Sequence, residues 1–69
     1  MKIGAQLKRE RERALLTQQE LAERAGVGLT TLNRIENDRA EPRFRTIRKI
    51  AKALGVDPRN LIQEGDDAY

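Results

Sequence analysis

Residues 25–34 read AGVGLTTLNR, two glycines around one valine with a helix-like run behind them. A Gly-x-Gly ahead of a helix admits three uses. It can cradle a phosphate, form the turn between two packed helices, or make a plain surface bend. A phosphate cradle needs a preceding strand and either a third glycine at the right interval or a closing Lys-Ser/Thr pair. This chain has none of these around Gly26. The two glycines therefore take separate roles. Gly26 reads as a left-handed residue that ends one helix. Gly28 reads as the N-cap of the next, where glycine forfeits only a few tenths of a kcal/mol against Ser or Thr.

Other chemistry is limited by what the chain lacks. It has no Cys, His, Ser or Trp among its 69 residues. The usual zinc and iron ligands are missing, and so are the common nucleophile–base pairs. Carboxylates remain, but a domain this small offers little concavity for a substrate. No enzyme activity, metal, cofactor or small-molecule ligand is expected. The absence of Cys fits a cytoplasmic protein, and the charged start MKIGAQLKRERER reads as neither a signal peptide nor a membrane span.

The net charge of +3 understates the basicity. The last residues hold Glu64, Asp66 and Asp67 and no base, so residues 1–63 set 14 bases against 8 of the 11 acids, a balance of +6. A small basic domain fits an anionic partner such as nucleic acid, although a basic surface can also serve solubility alone. Residues 1–63 are expected to form one domain, and 64–69 an acidic, flexible tail.

These features sit on helices. Every segment between the glycines and prolines has a helical period, and no alternating run suggests a sheet. A first helix is expected over about 2–14, with Ile3, Leu7, Arg11 and Ala14 on one face. Thr17-Gln18-Gln19-Glu20 is a capping box that starts a second helix, with Leu21, Ala22 and Ala25 inward, and Gly26 ends it. A third runs from about Leu29 to Glu36 and is closed by Asn37 and Asp38. A fourth covers about 44–54 with Ile47, Ile50, Ala51 and Leu54 inward, and Gly55 ends it. Asp57-Pro58 reads as N-cap and N1 proline of a short fifth helix through Leu61 and Ile62. With only Phe44 and Tyr69 as aromatics, the core must be aliphatic.

Two short helices joined by a glycine-containing turn make a helix-turn-helix candidate. Ala22 is small where the helices cross, Gly26 makes the turn, Val27 tucks inward, and Leu32 and Ile35 anchor the second helix from behind. The stretch TQQELAERAGVGLTTLNRIEND resembles the helix-turn-helix of the phage-repressor-type (Xre/Cro) family. The later EPRFRTIRKIAKALGVDPRNLI is similar to that family's fourth and fifth helices. The resemblance spans about residues 3–62. It implies an all-α, compact five-helix bundle of the lambda-repressor-like DNA-binding type, acting as a dimer on double-stranded DNA.

The resemblance also implies roles for particular residues. Gln18, at the start of the second helix, would hold a DNA phosphate, as a helix N-terminus favours. Leu29, Thr30 and Arg34, with Asn33 beside them, would face the major groove. Thr30 can bond a base or touch a thymine methyl, and Arg34 suits guanine O6 and N7. Arg34 could instead pair with Asp38 at i+4. Leu29 offers only apolar contact, where many relatives are polar. Asn37, Arg39 and Arg43 would approach phosphates. Val56, Leu61 and Ile62 would supply the contacts of a weak homodimer. Arg11 and Glu36 lie on otherwise apolar stripes, and a lone buried charge is costly, so the two are expected to pair as a structural bridge.

The sequence therefore reads as a DNA-binding transcriptional regulator of repressor type on a palindrome-like operator. Two alternatives stand beside it. An antitoxin that represses its own operon would need a toxin-binding segment, and none is evident. A protein–protein adaptor on the same fold should have lost the polar and basic groups around the third helix. Gln18, Thr30, Arg34, Asn37, Arg39 and Arg43 are all present.

Overall fold

The computed structural model describes residues 2–62. Along them run α1 (Gly4–Arg13), α2 (Gln18–Ala25), α3 (Leu29–Glu36), α4 (Phe44–Leu54) and a closing 3₁₀ turn (Pro58–Leu61). The expected fifth helix is thus a single tight turn. Its start signals work as read: Asp57 accepts from the Arg59 amide at 2.8 Å, and Pro58 takes the first position. Asn60 then bonds back to Asp57 at 2.8 Å, a three-residue spacing. A 3₁₀ turn rises about 2 Å per residue, so four residues suffice to bring Leu61 into the core, where it is fully buried. The acidic tail lies outside the described residues.

All four α-helices end by one device. Just past each helix an amide returns to a carbonyl five residues back: Leu16 to Arg11, Val27 to Ala22, Arg39 to Arg34 and Val56 to Ala51, at 2.8–3.1 Å. This is the Schellman motif, and it puts the residue before each of these amides in the left-handed region. Gly26 and Gly55 fill that place at φ 72° and 73°, as expected. The other two places hold Leu15 at φ 59° and Asp38 at φ 57°. No glycine marks them; Asn37 and Asp38 were read as the close of α3, whereas nothing marked the turn at Leu15. The α1 turn also leaves Ala14 exposed, contrary to its expected place on the inner stripe, because the helix already ends at Arg13. Leu16 enters the core instead, and Leu15 stands 88% exposed.

The core is aliphatic throughout. Ile3, Leu7, Leu21, Leu32, Ile35, Ile47, Ile50 and Leu61 are essentially inaccessible, with Ala22, Ala25 and Ala51 between them. Burying each large side chain contributes roughly 1.5–3 kcal/mol. Val27, Leu54 and Val56 pack against this set from its edge, and Phe44 stays out, 63% exposed. α2 packs on α3 and α4, and α1 packs on α3 and the 3₁₀ turn. Helix α3 is therefore held from behind by two helices, with its far side open.

Candidate nucleic-acid interface

The capping box at the start of α2 forms as read. The Thr17 hydroxyl accepts from the Glu20 amide at 3.0 Å, and the Glu20 carboxylate accepts from the Thr17 amide at 2.8 Å. The Thr17 amide holds the Glu20 carboxyl below its ordinary value. This cap fixes where α2 begins, and so fixes Gln18 in its first turn.

Arg11 and Glu36 meet as expected. Arg11 Nε donates to Glu36 Oε2 at 2.6 Å and Arg11 Nη2 donates to Oε1 at 3.1 Å. The two side chains are 12% and 3% exposed. The third face of the guanidinium donates to the Leu16 carbonyl at 2.8 Å, within the turn that ends α1. The hydrogen bond to Glu36 raises the Arg11 pKa and outweighs desolvation, so the guanidinium stays charged. Such two-point pairs are the strong kind of charge-assisted bond. This one bolts α1 to the back of α3.

The bridge continues outward. Gln18 Nε2 donates to Glu36 Oε1 at 3.0 Å, and Asn33 Nδ2 donates to Gln18 Oε1 at 3.1 Å. Asn37 Nδ2 donates to the Asn33 carbonyl at 3.0 Å and to Asn33 Oδ1 at 3.3 Å. A chain of hydrogen bonds thus runs from a buried ion pair to the open face of α3. The sequence pointed to the Arg11–Glu36 pair, but to Gln18, Asn33 and Asn37 only singly. The separations of 15 and 18 residues that link Asn33 to Gln18 and Gln18 to Glu36 carry no local signal.

The open face of α3 presents Thr30, Asn33, Arg34 and Asn37, all exposed, in a stripe of i, i+3, i+4 and i+7 spacing. Leu29 lies at its margin, 46% exposed. Arg34 makes no ion pair among the described residues. Asp38, its alternative partner, turns the other way and accepts from the Gly4 amide at 3.0 Å. That bond caps α1 from 34 residues away and ties down the loop between α3 and α4. Arg39 and Arg43 project from this loop, exposed and without ion pairs among the described residues. The amides that start α3 and α4 have no side-chain cap. Uncapped amides beside arginines favour a bound anion.

A second concavity lies elsewhere. A groove of about 540 Å³ between the end of α2 and α4 is lined by Arg24, Ala25, Gly26, Lys49, Lys52 and Ala53. It holds no carboxylate, hydroxyl or thiol. No group of potential metal ligands occurs among the described residues. No described helix is long and apolar enough to cross a membrane.

The residues expected at a dimer contact separate. Leu61 is fully buried and committed to the core of its own chain, so its side chain is not available to a partner. Val56 and Ile62 are half-buried and keep part of their surface free.

Comparison with known proteins agrees with this geometry. The helix-turn-helix family profile matches residues 7–61. The chain belongs to the phage-repressor-type helix-turn-helix family. It is 36% identical over 64 residues to an immunity repressor protein of Bacillus phage phi105. That match covers 93% of this chain and 44% of the repressor, so the chain spans less than half of that relative's length. Its fold is similar to a chain of a solved complex of the SinR and SinI proteins, with a TM-score of 0.86 and 30% identity. That match covers 94% of this chain and 64% of the other. The described residues thus form a helical domain of this family, with α2 and α3 as its helix-turn-helix.

Proposed function

We propose that the protein is a sequence-specific transcriptional repressor that binds a palindrome-like operator as a weak dimer. The observation that carries this reading is the exposed polar stripe of α3, anchored from behind by the Arg11–Glu36 bridge. Thr30, Asn33 and Arg34 read base edges in the major groove, with Leu29 adding apolar contact at the margin. Gln18, Asn37, Arg39 and Arg43 hold phosphates on either side. Gln18 keeps one amide hydrogen for this after bonding Glu36. Phosphate contacts give affinity and a steep salt dependence, while base contacts give sequence choice.

Val56 and Ile62 supply the partner contact. Two small half-buried side chains give little apolar area, so the free protein dimerises weakly and the operator brings two copies together. Their recognition helices then sit about 34 Å apart, one duplex turn.

Selection of bound sites from random duplex DNA, followed by binding across a salt series, tests the reading. The expected result is a two-fold-related consensus bound less tightly as salt rises. A flat sequence profile, or no binding at low salt, refutes it.

A further inference from the structure

The hydrogen-bond chain from Glu36 to Asn33 has a direction, and that direction bears on which base is read. A carboxylate paired with a guanidinium can only accept. The Gln18 atom 3.0 Å from Glu36 Oε1 must therefore be the amide nitrogen. That fixes the other end of the Gln18 amide as the oxygen, which can only accept. The Asn33 atom 3.1 Å away must then be its nitrogen. The Asn33 oxygen in turn receives the Asn37 amide at 3.3 Å. An asparagine side chain alone can flip its two ends at little cost. Here the orientation is imposed by a charge buried two residues away in the chain of bonds.

What Asn33 can offer outward follows by subtraction. Its nitrogen has two hydrogens, one spent on Gln18, so one donor remains. Its oxygen has two lone pairs, one facing Asn37, so one acceptor remains. The exposed edge of Asn33 is a single donor beside a single acceptor. In the major groove, adenine offers the matching pair, an acceptor at N7 and a donor at N6. Guanine offers two acceptors, N7 and O6. An unrestrained asparagine could turn both amide hydrogens toward guanine. The restrained one would set its oxygen against one of guanine's acceptors.

We propose that Asn33 is a specificity-determining adenine reader, and that Gln18 and Glu36 are the positioning residues that make it reject guanine. This rests on the DNA-reading function proposed above, and it gives Gln18 a second task beside its phosphate contact.

The test compares four proteins: wild type, Gln18→Met, Asn33→Ala and the double variant. Each is challenged with duplexes carrying A or G at the operator position that Asn33→Ala perturbs. Glu36 keeps both of its Arg11 bonds when Gln18 is replaced, so the fold should survive. Gln18→Ala serves as a second variant, and melting curves verify both. Wild type should prefer A over G by about 10-fold or more, in keeping with a bidentate base contact. Gln18→Met should cut that ratio by about 3-fold or more, and in the Asn33→Ala background should leave the ratio unchanged while weakening both duplexes alike.

A uniform loss across all sequences, with the ratio intact, would assign Gln18 to phosphate alone and overturn the proposal. Selection of G at the Asn33-dependent position would overturn it as well. A flat wild-type profile would overturn the DNA-reading function itself, and is thereby distinguishable from both.

Discussion

Replacing Gly4 by alanine should be far more damaging than its place at a helix start suggests. A helical Gly→Ala change ordinarily stabilises by about 0.4–1 kcal/mol, through a less flexible unfolded chain. At Gly4 a Cβ would lie 2.7 Å from Asp38 Oδ1 and 2.9 Å from the Glu36 carbonyl carbon, and closer still to the Glu36 carbonyl oxygen. Comfortable contact lies near 3.5 Å, so the end of α3 must retreat by about 1 Å. Overpacking of this kind costs about 1–3 kcal/mol. The retreat also stretches the Asp38 bond that caps α1, worth about 1 kcal/mol. The losses exceed the gain, for a net destabilisation of about 2–3 kcal/mol.

A domain of 69 residues has only about 3–10 kcal/mol of stability in total. At this size each kcal/mol moves the melting temperature by about 4–8 °C, so Gly4→Ala should melt roughly 10–20 °C below wild type. Thermal melts by circular dichroism, with urea titration alongside, measure this. Gly28→Ala is the control. Its Cβ would meet only Thr31 Oγ1, at 3.7 Å, and the change should cost well under the Gly4 value. Asp38→Ala separates the lost cap from the clash. A Gly4→Ala protein that melts at or above wild type would refute the argument. Equal melting of Gly4→Ala and Asp38→Ala would show that the carbonyl of Glu36 exerts no steric limit.

Four further outcomes can be checked. Glu36→Ala leaves a part-buried Arg11 without its charged partner and should destabilise by about 1.5–3 kcal/mol; a melting shift of one or two degrees would contradict the bridge. Leu15→Gly relieves a left-handed leucine that is 88% exposed and should raise stability by about 0.5–1 kcal/mol in urea unfolding. Arg34→Ala should relax choice at one base position by about 1–3 kcal/mol, whereas Arg43→Ala should weaken all sequences alike and reduce the salt slope by about one; identical behaviour would end the division into reader and anchor. The Glu20 carboxyl is depressed in the folded state by its bond to the Thr17 amide, so its contribution is fully present above its ordinary value of 4.5 and is lost as pH falls through the lower folded value. In melts between pH 7 and pH 3, Glu20→Gln should show a shallower acid loss than wild type.

Much of the architecture was legible because its signals are local. The Thr17 capping box, the glycines at 26 and 55 and the apolar spacing of each helix act within a few residues of themselves. They set α2, α3 and α4 to their observed bounds. Asn37 and Asp38 did mark the end of α3, but the left-handed conformations of Leu15 and Asp38 were not legible, because neither side chain demands that backbone. Tertiary packing holds them there: Leu16 must reach the core after α1, and Asp38 must reach the Gly4 amide. The same applies to Leu61. Its apolar character suggested a partner surface, but its burial places it inside its own chain.

The sequence by itself determined the kind of fold: helical elements, an aliphatic core, a glycine turn between two short helices, and a basic surface in a chain with no Cys, His or Ser. Those follow from residue type and short-range spacing. The Arg11–Glu36 bridge was expected; only the tertiary structure decided how the open face of α3 is held through it. The extension from Glu36 through Gln18 to Asn33 and the lock between Gly4 and Asp38 join residues 15 to 34 positions apart. Hydrogen bonds have direction, and direction passes along a chain of bonds only once the fold has brought its members within 3 Å or so. The turn at AGVG is written in its own residues; the orientation of the amide it presents is set by a carboxylate at the other end of α3.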